Sequence, residues 1–193
     1  YHAMVNPELI KAAECRCEQH QADHSFRVMA LARKIFAQQI DIDGPEEIKQ
    51  NQDFFLEILD WTAVFHDREM DGDLEYDLEH GSKAANKVEE VVGARVSDEG
   101  KKWIKFLCIF NVPDDSEIEG LNATQLWLLR VFKDADSLDR VRFDNGDKLD
   151  ESYLRFESAK ELIPEAKRLW ERTRYLSNNP QGAFDAVFEN KVE

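Results

Sequence analysis

Apolar residues along this chain recur at spacings of three and four, and no segment alternates convincingly between apolar and polar. In SFRVMALARKIFAQQI, Val28, Leu31, Ala32, Ile35 and Phe36 share one helical face. DFFLEILDWTAVF is a second, strongly apolar helix that runs into His66. The segment from about Leu78 to Val92 carries Ala84, Ala85, Val88 and Val92 as its apolar stripe, and Gly93 is placed to cap it. Helix starts are marked as well. Asn6 precedes Pro7, Ser97 precedes an acidic first turn, and Asn122 with Gln125 has the spacing of a capping box. Pro164 marks a break or a new start in SAKELIPEAKRLWERTRYLSNN, and GAFDAVFEN suits one last short helix. DGPE, REMDGDLEYD, NVPDDSEIEG and NGD read as turns or loops. The pattern predicts an all-α chain, a single compact helical domain of seven or eight helices spanning residues 1–193.

Composition narrows the function classes. A chain of 193 residues can enclose one sizeable core, and 42% hydrophobic with 34% charged residues suits a folded globular protein. The longest apolar stretches, such as FLCIF and LWLL, fall far short of the ~20 residues of a membrane span. A net charge of −15 opposes non-specific binding to nucleic acid or to an anionic membrane, so neither partner is expected. It leaves room for a small anionic substrate, because a metal ion and a few cations can invert the local sign. Cys15 and Cys17 are two apart on a helical stretch and point away from each other; with Cys108 they make an odd, sparse set. That usage, and an opening YHAMVNPELI without a basic segment and apolar core, predict a cytoplasmic protein.

The candidate chemistry starts at TAVFHDREMDG, where His66 and Asp67 end an apolar run. His24 lies at the start of the helix that begins near residue 24, and His66 ends the helix that begins near residue 51. A short connection favours antiparallel packing, which sets the start of the first helix beside the end of the second. His24 and His66 can therefore meet, with Asp67 adding a carboxylate. Two imidazoles and a carboxylate suit Mn, Fe, Co, Ni or Zn better than Ca or a pure Mg site. A further ligand has to come from another helix. In VFKDADSLDRVRF both Asp136 and Asp139 border the apolar face, and spacing leaves the choice between them open. Each piece alone has an ordinary reading, as a polar helix end or a solvated acidic face. Their combination is what points to a metal.

The order H24SFRVMALA, AVFH66D67, H80GSKAA and KDAD136SLDRVR resembles the HD-domain superfamily of metal-dependent phosphohydrolases, over about residues 20–160. It is nearest to small stand-alone bacterial members with an HxxxHxxRV opening. The resemblance implies an HD-type domain with C-terminal helices packed on its core. It makes His24, His66, Asp67 and Asp136 the ligands of one divalent metal ion (Mn, Fe, Co, Ni, Zn or Mg), with a second ion possible but not favoured. It places His80 where a further histidine meets a second metal or the substrate phosphate, and His20 where another faces the cleft. The chain departs from the family in reading HDREMDG, with Arg68 where small residues are usual.

The implied activity is hydrolysis of a phosphate ester, of a nucleotide or another small phosphorylated metabolite, by metal-activated water. Asp67 and His80 are the expected catalytic groups, His80 as the acid for the leaving group. Arg27, Arg68, Lys133, Arg142 and His20 are the expected substrate-binding residues; Lys133 precedes Asp136 by three, so both can face one cleft. The alternatives are a phosphodiesterase acting on a phosphoribosylated or nucleotidylated larger target, and a non-catalytic nucleotide-binding module.

Overall fold

The computed structural model describes residues 6, 8–13, 22–70, 78–143 and 149–188. Among them every regular element is helical. In order they are α1 (Glu8–Ala12), α2 (Ala22–Asp43), α3 (Glu46–Gln50), α4 (Gln52–Phe65), α5 (His80–Val92), α6 (Asp98–Asn111), α7 (Ala123–Leu138), α8 (Glu157–Glu161), α9 (Ile163–Thr173) and α10 (Pro180–Phe188). The described residues form ten α-helices where seven or eight were expected. The excess comes from α3, a single turn inside the loop expected after α2, and from the tail, which Pro164 splits into α8 and α9.

The predicted signals act as caps. Asn6 accepts the Glu8 amide at the start of α1, and Ser97 accepts Gly100 N at the start of α6. Asn122 and Gln125 exchange both bonds of a capping box. Gly93 ends α5 with φ of 57°, a left-handed value that favours glycine. The predicted turn at 145–147, Cys15 and Cys17 lie outside the described residues.

α2 is the axis of the molecule. It packs against α4, α7, α9 and α10, while α5 lies on α6 and α6 on α4. From Ala22 to Ala32 every residue of α2 is buried. The apolar stripe read from the sequence is therefore one side of a helix that is enclosed on all sides over its first half, to Ala32. That enclosure has a chemical consequence: Asp23, His24, Ser25 and Arg27 lie in the buried stretch, and buried polar groups are costly unless paired. No helix among the described residues is long and apolar enough to cross a membrane.

Candidate metal centre

Three helices deliver the four side chains. His24 sits in the first turn of α2. His66 caps the C-terminus of α4, with φ −58° and ψ −37°, and Asp67 follows in the turn. Asp136 comes from the last turn of α7. α2 packs against both α4 and α7, so the start of one helix meets the ends of two.

The donor atoms converge. His24 Nε2 lies 3.3 Å from His66 Nε2, and each is 3.2 Å from Asp67 Oδ2. Asp136 Oδ1 is 3.6 Å from His24 Nε2 and 3.4 Å from His66 Nε2. All four ligand atoms fall within 4.8 Å of one another. Neighbouring ligands of one ion bound at ~2.1 Å are separated by ~3.0–3.4 Å, so the spacing fits a shared divalent cation.

The protonation pattern points the same way. His66 Nδ1 is 3.1 Å from the Ala63 carbonyl, which can only accept, so Nδ1 carries the proton. His24 Nδ1 is 2.7 Å from Asp139 Oδ2, a carboxylate acceptor. Both rings thus turn Nε2 toward the same point. Burial alone would push the His66 imidazole down, but Asp67 and Asp136 outweigh it and hold its proton affinity well above the ordinary value. Burial would likewise raise Asp136, yet His66 keeps its carboxyl below the usual carboxylate range. This cluster could hold a divalent metal ion.

Of the two aspartates left open by spacing, Asp136 faces the cluster and Asp139 stands behind it. Asp139 is fully buried and accepts from His24 Nδ1, Arg27 and Arg142. Arg27 takes a different place from the one expected. It is 1% exposed, donates Nε and Nη2 to the two oxygens of Asp139, and spends Nη1 on Asp23 and Thr173. A guanidinium enclosed by α2 and α9 serves the structure and is not offered to a ligand. Burial would raise the Asp139 carboxyl, but Arg27 outweighs it and holds the group far below the usual range.

The other expected substrate cations are scattered. Arg68 donates to the Ala12 carbonyl at 3.0 Å and lies against the Phe65 ring, tying α1 to the end of α4. Arg142 donates to the carbonyl and carboxylate of Asp139 and lies over the Phe143 ring. Lys133 is buried and turns to the loop after α6, donating to Pro113 O at 2.6 Å and Asp115 Oδ1 at 2.9 Å. His20 lies outside the described residues. His80 does join the site: its Nε2 is 3.5 Å from Asp67 Oδ1, the oxygen opposite the one in the cluster.

Three contributors were not expected from the sequence. Asn111, the last residue of α6, donates Nδ2 to Asp136 Oδ2 at 3.0 Å and steadies the more exposed ligand. Asp23 and Thr173 complete the shell around Arg27. Asp23 carried a readable signal, since it stands four before Arg27 on one helix. Asn111 and Thr173 carried none, because only tertiary packing brings them in.

The chain matched no family model, no curated protein and no solved structure.

Proposed function

We propose that the protein is a metal-dependent phosphohydrolase of the HD-domain type that cleaves the phosphate ester of a small molecule. The observation that carries this reading is the buried His24–His66–Asp67–Asp136 cluster, gathered from three helices with both histidines presenting Nε2. A divalent ion held there supplies Lewis-acid polarisation of a phosphoryl oxygen and a lowered pKa for a nearby water. The protein's own groups do the rest. Asp67 links two functions, with Oδ2 among the ligand atoms and Oδ1 toward His80. His80 opens α5 at the edge of the cluster, its side chain partly exposed, where an imidazole can pass a proton to a leaving oxygen. Asp139 and Asn111 fix His24 and Asp136, so that little reorganisation accompanies binding.

The test is a screen of nucleotides and small phosphate esters with protein loaded with Mn, Co, Ni, Zn or Mg. Phosphate release from at least one ester is expected, and His80→Ala should lose that turnover while keeping its metal. No release from any ester with any of these ions would sink the proposal. Unchanged turnover in His80→Ala would remove His80 from the chemistry.

A further inference from the structure

A second concave site lies beyond the metal cluster and shares none of its four residues. The segment joining α6 to α7 lines, with α7 and Arg155, an open cavity of about 300 Å³, a size that suits a small organic ligand. Its lining includes the leucines Leu121, Leu126 and Leu129 and the cations Arg130, Lys133 and Arg155. One carboxylate, Asp115, lines it as well. Three cations against one carboxylate leave the lining at +2, in a chain whose net charge is −15.

Two of the three cations already converge on one carboxylate, Asp115. Lys133 Nζ and Arg155 Nη2 both lie 2.9 Å from a single oxygen, Asp115 Oδ1, and Arg155 Nε donates to Oδ2 at 2.7 Å. Lys133 spends two of its three N–H bonds, on Pro113 and Asp115. Arg155 spends four of its five, on Asp115 twice, Asp134 and Tyr153 O. Each keeps one donor. Arg130 is exposed at the same cavity, and no described residue pairs with it. Asp134, fully buried, holds Arg155 from behind and also accepts the backbone amides of Arg155 and Phe156. The guanidinium is thereby fixed, and a fixed fork binds an oxyanion with little loss of rotamer freedom.

We propose that this cavity binds a phosphate- or phosphonate-class anion carrying a short aliphatic group, the anion on Arg130, Lys133 and Arg155 and the aliphatic part against the three leucines. Donors from three separate side chains suit a tetrahedral oxyanion, which offers more oxygens than the flat carboxylate already present. The leucine wall offers aliphatic surface and no aromatic face for stacking a base, so it favours an alkyl or acyl body over a nucleobase. The site stands independently of the phosphohydrolase reading, because it requires neither a metal nor turnover.

The methyl-labelled protein titrated with butylphosphonate and with methylphosphonate, neither of which has a hydrolysable ester, tests it by NMR. Saturable shifts of the Leu121, Leu126 and Leu129 methyls are expected, with butylphosphonate about fiftyfold tighter for its three added buried methylenes. Arg130→Gln, an exposed substitution, should weaken both probes by about tenfold, and Asp115→Asn should tighten them. The proposal is overturned by shifts confined to methyls around the metal cluster, or by no saturable shift at the three leucines. Equal affinity in Arg130→Gln, or equal affinity for the two probes, overturns it too.

Discussion

Asp139 decides which nitrogen His24 offers. By accepting from Nδ1 it leaves Nε2 turned to the cluster, and Arg27 in turn fixes Asp139 at both oxygens. Outer partners of this kind typically govern metal affinity by 10–100-fold. Asp139→Ala should therefore weaken metal binding by about that factor, with one ion per chain still reached at saturating metal; unchanged affinity by calorimetric titration would contradict the assignment. Arg27 works through the same carboxylate. Arg27→Met leaves Asp139 buried with less compensation, a change that costs about 3–5 kcal/mol for a broken buried pair. Chemical denaturation should show a loss of that order. His24 and His66 were readable because helix pairing brings their positions together. Arg27 was readable only as a cation near the motif; its role depends on α9 closing over α2, which local spacing does not encode.

At the scale of elements, the approach of α5 to α6 positions His80. A Cβ on Gly81 would lie 2.2 Å from the Cys108 carbonyl oxygen and 2.8 Å from a Val112 methyl, so only glycine lets the two helices come this close. Gly81→Ala should push α5 outward and carry His80 off Asp67. The expected result is a stability loss of about 1–3 kcal/mol with turnover reduced and metal content retained; full turnover would show that His80 tolerates the shift. The capping box at α7 is a smaller, separate effect. Asn122→Ala should cost about 1 kcal/mol by thermal unfolding and leave the metal site intact. These caps were legible because their chemistry is local: a side chain meets an amide two or three residues away. α3 was not, since a single turn within a loop has too few residues to display a period.

Across the whole molecule, the all-α class followed from the near absence of alternating patterns, and the described residues are helical throughout their regular structure. The cluster at the meeting of α2, α4 and α7 makes stability depend on acid. The Asp139 carboxyl is lowered in the folded state, chiefly by Arg27 against the opposing effect of burial. Its contribution is thus fully present above the unfolded carboxylate value of ~3.9 and is lost as pH falls below it. The stability gap between wild type and Asp139→Asn, which cannot titrate there, should be constant from pH 7 to about 5 and shrink below about 4. A gap that widens on acidification would contradict this linkage.

In the proposed function His24, His66, Asp67 and Asp136 hold one divalent ion. Metal content measured by elemental analysis on wild type and on the His66→Ala, Asp67→Ala double variant, with the helical circular dichroism of each, tests it most directly. An ion should be bound in the wild type and lost from the double variant while the helical signal persists. Full metal retention in a folded double variant would contradict it.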